Sequence, residues 1–290
     1  MRLVSASSFY RTTFDEKAYI EDGSFVNARA KLFGVADGAS EAYSSSNPPI
    51  KYGGLTSGQM VTNIFCQGGM DENAASSIEK FLLEVNHNIL IEHENMGLNP
   101  GSDDVGGASF VVCKINGEGI TLVFGGDCFT LLKNKEGLSL FTGFDEAAFR
   151  VEDENDKAYA KCLQLAEGKK DLAWDIYWAE YKVKRLRTSN RNIGNGGFAT
   201  LNGDPTLKDC WKIEKIRVSS SPQFVLLGSD GLLPSQAMNP KYRKEMTAKL
   251  GELYSSGGLP AVLKWRDETE ESLHHITGWP EASAVELKFS

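Results

Sequence analysis

The sequence predicts a layered α+β protein, with sheets in the middle and helices packed outside them. Three observations predict it. Apolar runs of strand length stand between turn signals, two segments carry helical spacing, and strands do not alternate regularly with long helices. The last point disfavours a doubly wound parallel sheet and favours sheets stacked in layers. The 290 residues are 41% hydrophobic and 24% charged, ordinary globular usage, and bury a core without staples. No repeat, low-complexity tract or long Pro/Gly/Ser linker divides the chain, so one domain spanning 1–290 is expected.

Leu32 to Ala36 (LFGVA) is a short apolar run before Asp37-Gly38, read as a buried strand that stops at a turn. In Ser77 to His93, Ile78, Phe81, Leu82, Val85 and Ile89 repeat at helical spacing, the pattern of an amphipathic helix. Ser109 to Ile115 and Ile120 to Phe124 flank Asn116-Gly117, a hairpin signal. Phe129 to Lys133 and Leu138 to Phe141 are read as continuing that meander through Glu136-Gly137. Residues 143–215 are polar, with a helix expected from about Ala173 to Arg187, and are read as a flap-like insertion over one edge. Phe224 to Leu227 is a second buried strand ending in an acidic turn. Tyr242, Met246, Leu250 and Leu253 mark another helix, and Ala284 to Phe289 alternates as a half-buried last strand.

Composition excludes several classes. A net charge of −8 and a pI near 5.2 oppose general nucleic-acid binding, which needs a basic footprint. No run approaches the roughly 20 apolar residues that span a bilayer, and Met1 to Arg11 lacks the apolar core of a signal peptide. The five cysteines (Cys66, Cys113, Cys128, Cys162 and Cys210) are scattered and form no CxxC pair. Reduced, buried thiols and a cytoplasmic location are expected, with no membrane or nucleic-acid partner.

The most informative feature is a repeated local design, an apolar strand that ends in an aspartate beside glycine. It occurs at Val35-Ala36-Asp37-Gly38, at Phe124-Gly125-Gly126-Asp127 and at Leu227-Gly228-Ser229-Asp230-Gly231. Each such pair is also a good turn former. Three carboxylates on rigid strand ends, however, are the oxygen donors that a hard divalent cation takes.

These motifs resemble those of the protein phosphatase 2C family. Leu32 to Ser40 is similar to its first Asp-Gly signature, and Gly106-Gly107-Ala108-Ser109 with Val123 to Cys128 resembles its paired central strands. Phe224 to Leu232 resembles its later Ser-Asp-Gly signature, and Glu281 to Val285 resembles the start of its last strand. The motifs fall in family order over nearly the whole chain. The resemblance implies a four-layer α-β-β-α sandwich of two antiparallel sheets flanked by helices. It also implies a site for two Mn2+ or Mg2+ ions, with room for a third, weaker one. Asp37 would bridge both ions with the Gly38 carbonyl as a further ligand, Asp230 would hold one, and Asp127 would hold a metal-linked water or the third ion. Arg11 would anchor phosphate, with Asp15 and Glu16 in the outer metal shell. Here Phe14 stands where the family has asparagine and the acid order is reversed, and Glu21-Asp22 is an alternative placement.

The implied activity is hydrolysis of phosphoserine and phosphothreonine in phosphoproteins. A metal-bridging hydroxide would attack phosphorus in line, with water pKa lowered from near 16 to roughly 7. Two departures bear on it. Pro280-Glu281 replaces the family's closing acidic pair, so Glu281 is the candidate ligand there, and failure of that ligand would leave a weak pseudophosphatase that binds phosphoproteins. Ala39-Ser40 follows Asp37-Gly38 in place of a histidine, as in many bacterial members. Lys182, Lys184, Arg185, Arg187 and Arg191 form the one basic concentration, read as a solvated face or a docking surface for acidic partners.

Overall fold

The structure is a computed structural model that describes residues 2–12, 20–40, 49–71, 77–100, 105–170, 172–177, 189–217, 219, 222–233, 241–273 and 281–290. Among these, strands β1 (Leu3–Thr12), β2 (Gly23–Asn27), β3 (Leu32–Ala39), β4 (Gly107–Ile115) and β5 (Gly119–Gly125) are followed by β6 (Phe129–Asn134), β7 (Gly137–Thr142), β8 (Lys212–Arg217), β9 (Phe224–Gly228) and β10 (Glu281–Phe289). They form two five-stranded sheets, ordered β1-β10-β9-β6-β7 and β2-β3-β4-β5-β8. The pairings between these strands are all antiparallel.

Three cores separate four layers. Helices α1 (Ser57–Met70) and α2 (Ile78–Asn95) press Phe65, Phe81, Leu82 and Val85 onto Phe25, Leu32, Phe110 and Val112 of the second sheet. Phe25 meets Phe65 and Phe81 edge-on, with ring centroids 5.1 and 5.5 Å away, the T-shaped geometry that ring quadrupoles favour. Helices α3 (Glu146–Leu165) and α4 (Arg243–Leu273) bring Phe149, Leu250, Tyr254 and Val262 onto Phe129, Leu131, Leu226 and Ala284 of the first sheet. Between the sheets lie Phe33, Val35, Val111, Phe124, Val225, Leu227, Val285 and Leu287. This is the expected α-β-β-α sandwich.

The central strands are apolar on both faces because both are covered. In β3, Leu32 and Ala36 belong to the helix-side core while Phe33 and Val35 belong to the core between the sheets. Helix α1 starts with a capping box, in which Thr56 accepts from the Gln59 N–H and Gln59 returns a bond to the Thr56 N–H. Helix α4 is broken at Gly258, whose φ of 63° only glycine adopts readily, and Pro260 follows in the second leg. No helix among the described residues is long and apolar enough to cross a membrane.

Several sequence expectations change. Strand β3 does not stop at Asp37-Gly38; its ladder continues to Ala39, which pairs with Gly107. Strands β6 and β7 do not extend the β4–β5 meander, because the chain crosses to the other sheet between Gly125 and Phe129. The polar region ends in β8, which pairs with β5, and contains α3, a helix its charged surface concealed. Of the helix expected over 173–187, residues 173–177 are helical, while 178–188 lie outside the described residues.

Candidate metal centre

Strand alternation carries the layer between the sheets from an apolar middle to an acidic end. Phe33, Val35 and Asp37 share one face of β3, and the first two lie in the inter-sheet core. Asp37 therefore continues that face at the end of the sandwich. Its partner across the ladder is Ser109 of β4. Gly23 pairs with Ala36, so Asp22, one residue further out, stands beside Asp37. From the other sheet come Asp230, in the 3-10 turn after β9, and Glu281 at the start of β10. Asp127 lies on the crossover between the sheets.

Adjacent residues on an extended chain point to opposite sides, and Glu21 and Asp22 do so with different consequences. Glu21 is buried toward the helix layer, where its carboxylate accepts from the Ser40 N–H at 3.0 Å and from the hydroxyls of Ser40 and Thr56. It sits against Gly58 in the first turn of α1, where a helix N-terminus favours negative charge. Asp22 turns inward and accepts from Ser229 Oγ at 2.7 Å. Ser229 in turn accepts from the Ser283 N–H at 2.9 Å and donates its own N–H to the Ser283 carbonyl at 3.0 Å. One serine thus ties an acid of the second sheet to two strand ends of the first.

Asp37 is the middle carboxyl, with Asp22 on one side and Asp230 on the other. Its pKa is raised well above the usual carboxylate range, first by burial and then by the charges of Asp22, Asp230 and Asp127. Burial and the Glu281 charge push Asp22 up as well. Burial raises Asp127, although the Ser109 hydroxyl partly offsets this. Asp230 is pushed up to about 7, by burial and then by Asp127. Like charges gathered in a poorly hydrated place resist ionising together, which favours the protonated carboxyls and is relieved by a cation.

Two glycines permit this approach. A Cβ on Gly38 would stand 2.4 Å from the Glu21 carbonyl oxygen, so the chain before β2 could not lie against β3. Gly126 has φ 71°, and a Cβ there would meet Ser109 Oγ at 2.0 Å.

Among the described residues, no group of three or more Asp, Glu, His or Cys side chains is arranged so that it could hold a metal ion as it stands. The donor set nevertheless fits a hard divalent cation. It consists of half-buried carboxyls, and Asp127 Oδ1 is buried with no hydrogen-bond partner.

Of the residues singled out in the sequence, Asp37, Asp127 and Asp230 come together, with Gly38 next to Asp37 in β3. Glu281 lies at the margin, and both of its oxygens face the chain at 21–22. Arg11 is in β1 opposite Ala282, which brings its backbone to the acidic end. Asp15 and Glu16 lie outside the described residues, as do Pro280, Lys182, Lys184, Arg185 and Arg187. Asp22 entered the sequence reading only as an alternative placement. The signal that singles it out is its position directly before Gly23-Ser24-Phe25-Val26, an aspartate beside glycine at a strand start, whereas Asp37, Asp127 and Asp230 stand at strand ends.

The sequence matches no protein-family model and no curated protein. Solved structures do match. The PPM Ser-Thr phosphatase MsPP from Mycobacterium smegmatis, in complex with cacodylate, superposes with a TM-score of 0.55 at 13% identity over 100% of both chains. The Mycobacterium tuberculosis serine/threonine phosphatase PstP/Ppp gives 0.56 at 15% identity, again over 100% of both. The fold is that of the PPM serine/threonine phosphatases. A further PPM-fold structure, the catalytic domain of PstP in complex with two manganese ions, gives 0.51 at 15% identity over 99% of this chain and 98% of the other. At these identities the likeness establishes the fold of this chain, including its two sheets and their flanking helices.

Proposed function

We propose that this protein is a metal-dependent phosphatase of phosphoserine and phosphothreonine in proteins. The observation that carries the reading is the acidic end of the inter-sheet layer. There Asp22, Asp37, Asp127 and Asp230 perturb one another at the end of a PPM-fold sandwich. Asp37, flanked by Asp22 and Asp230, would help to hold two Mn2+ or Mg2+ ions. Asp230 would complete one ion's ligands, and Asp127 a third, weaker ion's or a water's. The manganese complex of PstP supports divalent cations of this kind. When bound, such cations supply Lewis acidity to phosphoryl oxygens and make water a nucleophile near neutral pH.

The chain's own residues do the rest. These carboxyls would have to be ionised to hold cations, so affinity would rise with pH. Ser229 holds Asp22 toward the site, and Arg11, on the neighbouring strand, would meet the phosphate. No cysteine serves as nucleophile. Cys128, the thiol beside the cluster, is fully buried, and burial together with the nearby carboxylates raises its pKa well above the ordinary thiol value. A phosphoprotein is the substrate class this reading requires.

A second reading has its own observation. Pro280 has no side-chain ligand to offer and Glu281 spends its oxygens on backbone N–H groups, which favours a weakly bound second ion and a slow phosphatase or phosphoprotein-binding module. Hydrolysis of p-nitrophenyl phosphate and of a phosphothreonine peptide with Mn2+, Mg2+ or EDTA separates the two. Metal-dependent turnover is expected, falling at least about 100-fold in Asp37→Ala and Asp230→Ala. A folded wild-type chain without turnover at any metal concentration selects the binding module.

A further inference from the structure

The far side of the metal centre is built by Glu281, and its contacts are unlike those of a ligand. Its Oε1 accepts from the Glu21 N–H at 2.9 Å, and its Oε2 accepts from the Glu21 and Asp22 N–H groups at 2.8 and 3.0 Å. The Tyr10 hydroxyl adds a donor to Oε2 at 3.2 Å. The carboxylate therefore points its lone pairs at the backbone of the opposite sheet. Two consecutive N–H groups caught by one carboxylate form the kind of charge-assisted grip that fixes a chain's direction. The residues gripped are the two acids that precede β2.

The grip matters because Glu21 and Asp22 diverge. Glu21 is anchored on the helix side by Ser40 and Thr56, and Asp22 on the inner side by Ser229. With both side chains held, the remaining freedom is rotation of the backbone between them, and the Glu281 carboxylate holds both of those N–H groups. A carboxyl group beside Asp37 is useful only at one angle, since a misplacement of about an ångström spoils a preorganised site.

We propose that Glu281 is a positioning residue, which aims Asp22 into the site by gripping the backbone at Glu21 and Asp22, and that it is not itself a metal ligand. This rests on the two-cation reading above. It also gives the Pro280-Glu281 pair a role without a ligand, since the strand start contributes a backbone clamp between the sheets.

The test compares Glu281→Gln with Glu281→Ala in the full chain, using two readouts that need no turnover. One is Mn2+ titration by calorimetry; the other is hydrogen exchange at the Glu21 and Asp22 amides. Glutamine keeps one acceptor oxygen for those amides, and alanine keeps none. The proposal expects Glu281→Gln to retain the wild-type number of ions with affinity within about three-fold. It expects Glu281→Ala to lose about 10- to 100-fold, the range for outer-shell partners of a metal. Exchange at both amides should quicken in the alanine variant and stay protected in the glutamine variant. Loss of an ion in Glu281→Gln would overturn the proposal by making Glu281 a ligand. Unchanged exchange in Glu281→Ala would overturn it by removing the grip. Should the alanine chain not fold, the glutamine variant decides alone, an intact ion count and protected amides supporting the proposal and loss of either overturning it. A wild-type chain that takes up no Mn2+ sinks the two-cation reading, and the exchange data still judge the clamp.

Discussion

The middle and the end of the inter-sheet layer are made by the same strands at successive positions, yet they obey opposite rules. In the middle, Phe33, Val35, Val111, Phe124, Val225 and Leu227 are buried without a polar atom among their side chains. Two residues further along β3, Asp37 occupies the same face among three other acids. The middle lowers the free energy of the fold, at about 25 cal/mol per Å2 of apolar surface buried. The end raises it, because it gathers like charges that only protons, hydrogen bonds or cations relieve. The contrast teaches that the strands serve as rods, stabilised at the centre so that their tips can hold an unfavourable arrangement.

The comparison is broken most forcefully by exchanging the rules. Phe124→Ala, in the middle, should destabilise the protein by about 3–5 kcal/mol in urea unfolding. Asp37→Asn, at the end, should do the reverse and stabilise the metal-free protein by about 1 kcal/mol, because it removes a charge from the cluster while keeping hydrogen-bonding atoms. Equal losses at both positions would refute the idea that the tip is strained electrostatically.

A smaller effect sharpens the same point through pH. The folded pKa of Asp230, about 7, exceeds the ordinary carboxylate value of about 3.9. A raised pKa means that the fold favours the protonated carboxyl. Its contribution is full below about pH 4 and is lost as pH rises through 7. Cations relieve the ionised cluster, so Mn2+ should raise the melting temperature more at about pH 8 than at about pH 5.5 in calorimetric scans. Equal increments at both would contradict the coupling.

The legibility of the sequence follows the same division. The rods were readable because Leu32 to Ala36, Phe110 to Cys113, Leu122 to Phe124 and Phe224 to Leu227 are apolar on both faces, a pattern that burial imposes. Three acids at their tips were readable because glycine marks where the backbone must pass close to another chain. Edge elements were not. Strand β1 carries Ser5, Ser7 and Ser8, β8 is charged apart from Ile213 and Ile216, and both draw their pairing from a neighbour rather than from an apolar pattern. Helix α1 contains Gly58, Gly68 and Gly69, which suit it to close packing against Glu21, Val85 and Phe25 but hide it from propensity. Asp22 was ambiguous because two acid pairs fall within one short segment, and only the β2–β3 register selects between their places. The crossover at Gly125-Gly126-Asp127 resembles a hairpin turn locally, and its change of sheet is decided by partners far along the chain.

The central claim, that the acidic end of the sandwich is a divalent-cation site, is tested most directly by anomalous diffraction from crystals of the full chain grown with Mn2+. The account predicts two strong manganese peaks among Asp22, Asp37, Asp127 and Asp230, with Asp37 touching both and Glu281 touching neither. Well-ordered crystals with no peak there, or with manganese only on exposed surface carboxylates, would contradict it.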